Sequence, residues 1–148
     1  LPDDPNKKAV VQYFNVFDNA RSASGRFDFD KAEKYFNRSR QLYKELGDER
    51  MISTLNSLLS RLNYYAGNYD TAIEYLIKSY KIMLNLGESI RCSIVLRNIG
   101  GIYFDNGDYD QALEYYKRSF DTAEQSKKIG YKQKMVIPLH QQPPGNAR

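Results

Sequence analysis

Three tripeptides, Asp30-Lys31-Ala32, Asp70-Thr71-Ala72 and Asp110-Gln111-Ala112, stand 40 residues apart, and this period constrains the chain more than any other feature. The aromatic residue before each aspartate repeats with them, as Phe29, Tyr69 and Tyr109. Tyr35, Tyr75 and Tyr115 follow each alanine by three residues, and Ser39, Ser79 and Ser119 come four later. A fixed period of this length makes each unit a supersecondary block that cannot bury both faces alone, so successive units must stack and share a core.

The spacing inside a unit identifies its elements. Ala72, Tyr75, Leu76, Ser79 and Met83 fall three or four apart and so share one helix face. Asp70 stands where a carboxylate favours the positive end of the helix dipole. Leu46-Gly47, Leu86-Gly87 and Ile129-Gly130 place glycine just after the last periodic residue, where a left-handed cap is expected. Between these helices, Ser89 to Asn106 carries Ile94, Val95, Leu96, Ile99, Ile102 and Tyr103 as a broad apolar stripe, which predicts a second helix per unit. Gly67-Asn68 and Gly107-Asp108 supply the turns between the two. Ala72, Ala112, Gly100 and the serine column let helices approach closely, while the Tyr, Leu and Ile columns fill the space between them. The expected fold is all-α, an α-solenoid of stacked antiparallel helix hairpins with about three repeats.

The segment Leu96-Arg97-Asn98-Ile99-Gly100-Gly101-Ile102-Tyr103, followed by Gly107-Asp108-Tyr109-Asp110-Gln111-Ala112, resembles the tetratricopeptide repeat family. The family's Asn-Leu-Gly, Tyr, Gly, Tyr, Ala and aromatic positions are met there in order. Residues 48–87 match less completely, with Leu58-Leu59-Ser60 in place of Asn-Leu-Gly and Asn63 in place of the tyrosine, and residues 28–47 match only the second helix. The period exceeds the family's common length of about 34 residues, and is similar to the longer repeats of bacterial sensory and peptide-responsive proteins and of some eukaryotic scaffolds.

Both ends depart from the pattern, which divides the chain into residues 1–27, 28–137 and 138–148. Val10, Val11, Phe14 and Phe17 predict an irregular first helix before a polar, glycine-containing loop. After Gly130 another first helix is expected to begin at Tyr131, until Pro138, Pro143 and Pro144 forbid its continuation. The final segment reads as a disordered native tail or an expression remnant.

Chemistry is poorly supplied. The only histidine is His140, in that tail, so a Ser-His-Asp or Cys-His arrangement is not expected and no catalytic residue is assigned. No HExxH, paired CxxC, phosphate-binding glycine loop or dinucleotide fingerprint occurs, so neither metal nor cofactor is expected. The carboxylate pairs Asp28 with Asp30 and Asp108 with Asp110 lie at repeat turns and read as helix starts. The lone Cys92 reads as a small core residue.

The net charge of +4 raises the question of nucleic acid. Five of the 22 basic residues, Lys127, Lys128, Lys132, Lys134 and Arg148, lie after residue 126, where no acidic residue occurs, leaving 17 basic against 18 acidic residues before them. Such a body lacks the broad positive surface that phosphate binding requires. No apolar run approaches the roughly 18 to 20 residues that cross a bilayer, and no signal segment opens the chain. The reading is of a soluble protein, with cytoplasm and bacterial periplasm both open and with an upstream leader or anchor left open by the start at Leu1.

The resemblance implies that the first helix of each hairpin lines a concave surface. Carried onto this sequence it selects Arg61, Tyr64 and Tyr65 in one repeat and Arg97, Asn98, Phe104 and Asp105 in the next. Arginines can fork onto a carboxylate, and tyrosines give rigid contact area at small entropic cost, so an acidic peptide segment or chain terminus is the expected ligand. The bland alternative is that these arginines are solvated and the tyrosines complete the core. Two function classes follow: a protein- or peptide-binding module, and an extracytoplasmic sensory input domain of a bacterial signalling protein, suggested by the entry Leu1-Pro2-Asp3-Asp4-Pro5-Asn6-Lys7. A third reading is self-association through the last helix face, with Phe120, Met135 and Val136 as contacts.

Overall fold

The computed structural model describes the backbone of residues 29–136 and the side chains of residues 29–130. The expected N-terminal helix and loop, the entry segment suggesting a sensor, Asp28 and the proline-containing tail with His140 lie outside these residues, as do the side chains of Met135 and Val136. Five helices follow one another: α1 (Phe29–Glu45), α2 (Glu49–Tyr65), α3 (Tyr69–Asn85), α4 (Ser89–Asp105) and α5 (Tyr109–Val136). Among the described residues there is no strand.

The 40-residue period resolves into two near-equal halves. The first four helices are 17 residues long, and each is joined to the next by three residues with glycine in the middle. Gly47, Gly67, Gly87 and Gly107 all take positive φ, between 71° and 83°. The residue after each glycine donates its N–H back into the preceding helix, as in Asp48 to the Tyr43 carbonyl at 3.0 Å and Asn68 to the Asn63 carbonyl at 2.8 Å. This double-bonded cap satisfies carbonyls that the helix end would otherwise orphan. The glycines expected as caps and those expected as turns are thus one device, used at every corner. Asp48 then opens α2 by accepting the Met51 N–H at 3.1 Å, and Asn68 and Glu88 make no such side-chain cap.

So short a connection forces neighbouring helices to pack antiparallel. Packing is most extensive within the hairpins α2–α3 and α4–α5, and α1–α2 and α3–α4 join successive units. Ala32, Phe36 and Tyr43 of α1 meet Leu55, Leu59 and Leu62 of α2. One unit later Ala72, Ile73 and Leu76 of α3 meet Val95, Ile99 and Ile102 of α4. Full burial of a leucine such as Leu55, Leu59 or Leu62 contributes roughly 1.5–3 kcal/mol. The all-α solenoid of stacked hairpins is therefore the fold, as the period required. Cys92 is buried in it, and burial pushes its thiol above the ordinary range, with Glu88 adding to the effect.

Two local expectations are corrected. Gly130 does not cap a helix: α5 runs unbroken to Val136, so no new helix starts at Tyr131. The position 40 residues beyond Gly87 is Lys127, and without a glycine there nothing stops the helix. Ile94 lies outside the buried stripe and is exposed, in the same column as the exposed Thr54.

Candidate functional site

The parallel first helices α2 and α4 leave a concavity of about 470 Å³ between them. From α2 come Ser57, Ser60, Arg61, Tyr64 and Tyr65, and from α4 come Arg97, Asn98, Gly101, Ile102 and Asp105. Leu76 of α3 and Tyr116 of α5 close its floor, and these two stand in the same column of successive repeats.

The repeat register explains why both arginines reach this space. Arg97 falls in the column of Ser57, and Arg61 in the column of Gly101. Each long cationic side chain therefore has a small residue at its own level on the neighbouring helix. Arg97 and Asn98 are exposed, and Arg97 forms no ion pair among the described residues. The lining serines are already engaged: Ser60 Oγ donates to the Ala72 carbonyl at 2.7 Å and Ser57 Oγ lies 3.0 Å from Ser79 Oγ, both holding α2 on α3.

At the far end, Tyr64 Oη donates to Asp105 Oδ2 at 2.5 Å, tying one hairpin to the next across the concavity. That hydrogen bond, then partial burial and the nearby Asp105 charge, pushes the Tyr64 phenol up to about 12. The Tyr64 ring also stacks on Tyr69, with centroids 5.6 Å apart at 27°, and meets Tyr65 edge-on at 5.3 Å.

Of the seven residues selected from sequence, Arg61, Tyr64, Tyr65, Arg97, Asn98 and Asp105 line this one concavity, and Phe104 does not. Phe104 stands in the column of Tyr64, but α4 is the last first-helix among the described residues, so it has no neighbour to reach across to. It turns instead onto Tyr109, edge-on at 5.3 Å, and stays 53% exposed. Sequence reasoning missed the floor residues Leu76, Ile102 and Tyr116. The signal was present in Gly100: a Cβ there would lie 2.9 Å from the Tyr116 ring, so only glycine lets that ring approach α4 so closely.

Among the described residues no three His, Cys, Asp or Glu side chains gather to hold a metal ion, and no helix is long and apolar enough to cross a membrane.

The tetratricopeptide repeat model matches this chain over residues 17–85 and again over 50–125. The fold is similar to that of the tetratricopeptide repeat domain of the Arabidopsis protein FLU, with a TM-score of 0.64 at 20% identity, covering 82% of this chain and 99% of that one. At that identity the likeness speaks for the fold alone. No curated protein sequence matches.

Proposed function

Because the chain belongs to the tetratricopeptide repeat family, whose repeats generally mediate protein–protein interaction, we propose that the concavity between α2 and α4 receives a protein or peptide segment bearing carboxylates. The fold is typically a non-catalytic scaffold, which accords with a site lined by rigid aromatic and forked cationic side chains. The observation that carries this reading is Arg97. Its guanidinium stands at the wall of a concavity beside Asn98 and level with the short side chain of Ser57. A carboxylate there accepts two parallel N–H bonds from the guanidinium.

Peptide-array binding with an Arg61→Ala, Arg97→Ala double variant tests it, once circular dichroism has shown equal helicity. Acidic peptides held by the parent and lost by the variant support the groove. Unchanged binding removes it.

A second reading, self-association, is favoured by one comparison between repeats. Ile73 and Leu76 of α3 are 6% and 5% exposed under α4, whereas Leu113 and Tyr116 in the same columns of α5 are 54% and 38% exposed, and Phe120 is 65% exposed. A second copy covering that face would bury it. Light scattering across a concentration series tests it, and a monomer throughout, unchanged by Phe120→Asp, rejects it.

A further inference from the structure

The concavity is polarised along its length. On α4, Arg97, Gly101 and Asp105 follow one another at one-turn intervals, and Arg61 on α2 stands at the level of Gly101. Two guanidiniums thus occupy the first two levels and a carboxylate the third. Eight residues at 1.5 Å each put Arg97 and Asp105 about 12 Å apart along the axis. Between the levels the floor is apolar, formed by Leu76, Ile102 and Tyr116. Asp105 is held in place rather than neutralised, since its partner Tyr64 is an uncharged donor occupying one carboxylate oxygen. The other oxygen keeps the capacity to accept.

An extended peptide matches this dimension. Side chains at i, i+2 and i+4 point to one side and span about 13 Å at 3.3 Å per residue. We propose that the groove selects an extended segment of mixed charge: a carboxylate side chain at Arg97 and Arg61, an apolar side chain on the Leu76–Ile102–Tyr116 floor, and a basic side chain at Asp105. A uniformly acidic segment sets a carboxylate against Asp105 and is disfavoured; a uniformly basic one meets two arginines. This inference rests on the peptide-binding reading above and adds its charge order. The order of groups along the groove is fixed by the side chains, while either chain direction satisfies it.

The test uses acetylated, amidated nonapeptides in which glycine and serine flank the cores Glu-Thr-Leu-Thr-Lys, Lys-Thr-Leu-Thr-Glu, Glu-Thr-Leu-Thr-Glu and Lys-Thr-Leu-Thr-Lys, titrated into the 148-residue protein and followed by amide chemical shifts. One of the two mixed-charge peptides is expected to bind about 3-fold or more tighter than the all-acidic peptide, the scale of one partly exposed charge pair. Asp105→Asn, whose amide oxygen still accepts from Tyr64, is expected to abolish that preference by weakening the mixed peptide and strengthening the acidic one. If the all-acidic peptide binds as tightly as the tighter of the two mixed peptides, or the preference survives Asp105→Asn, the charge order is wrong while peptide binding stands. If no peptide binds, the peptide-binding reading itself falls, and this inference with it.

Discussion

Ser93 of α4 and Ser119 of α5 clasp each other across the helix crossing: Ser119 Oγ donates to the Ser93 carbonyl at 2.7 Å, Ser93 Oγ donates to the Ser119 carbonyl at 2.9 Å, and the hydroxyls lie 3.1 Å apart. Ser53 and Ser79 repeat the arrangement one unit earlier, with their hydroxyls 2.7 Å apart. All four are buried, so each hydroxyl bonded to the facing helix replaces water it has lost.

The clasp predicts a graded response at Ser119. Ser119→Ala removes one buried hydrogen bond without changing the backbone separation and is expected to cost about 1 kcal/mol. Ser119→Val adds a methyl where two helices already touch through a hydroxyl, which adds an overpacking cost of roughly 1–3 kcal/mol. Urea midpoints should therefore fall in the order parent, alanine, valine. Equal midpoints for the valine variant and the parent would show that the crossing is looser than these distances require.

The neighbours Gly100 and Gly101 are expected to respond to alanine with opposite sign. A methyl at Gly100 would meet two Tyr116 ring carbons at 2.9 Å and the Ala112 carbonyl oxygen at 3.2 Å, and the latter, being backbone, yields little. Gly100→Ala should destabilise by about 1–3 kcal/mol despite its better helix propensity. At Gly101 the nearest atom is the Tyr116 hydroxyl at 3.8 Å, an ordinary contact. Gly101→Ala should therefore stabilise by roughly 0.5–1 kcal/mol. Thermal denaturation of the two variants checks the sign.

How much of this was legible depends on what each residue answers to. The hairpins, the corner glycines and the Ala72 and Ala112 contacts repeat every 40 residues, because every unit meets the same neighbour in the same way. The Ser39, Ser79, Ser119 column was visible for that reason, and Ser53 and Ser93 also stand 40 apart, but the pairing of Ser53 with Ser79 and of Ser93 with Ser119, 26 residues on, is set by how the helices cross and not by the period. Gly130 misled because a glycine after isoleucine resembles Gly87 after leucine, and only the register, which puts Lys127 at the corner position, separates them. The groove walls were readable from the first-helix pattern. Its floor was not, because Leu76 and Tyr116 belong to second helices whose inner faces look like plain core.

Alkaline titration offers a view of the Tyr64–Asp105 link. Folding raises the Tyr64 phenol from its ordinary 10.0 to about 12, so between those values the folded chain keeps a proton that the unfolded chain has lost. Stability contributed by the link is thus fully present below about pH 10 and declines as pH rises toward 12. Tyr64→Phe should flatten that part of the stability profile and remove one of the last phenols to ionise in an absorbance titration. An unchanged titration curve would mean that the phenol does not keep Asp105 as its partner in solution.

The corner glycine Gly87 and the mid-helix Gly130 are expected to part company under the same substitution. Gly87 has φ of 72°, a conformation that costs an alanine roughly 1–2 kcal/mol, and it carries the hydrogen-bonded cap that ends α3. Space does not oppose the methyl, since nothing lies within 4 Å, so the cost falls wholly on the backbone. Gly130 also has nothing within 4 Å, but its φ is negative and it lies inside α5. There alanine relieves the entropic cost of glycine in a helix and should raise helicity and stability by roughly 0.5–1 kcal/mol. Circular dichroism with thermal melts on both variants tests this. A loss from Gly130→Ala matching that from Gly87→Ala would restore Gly130 as a cap and end α5 there, short of Val136.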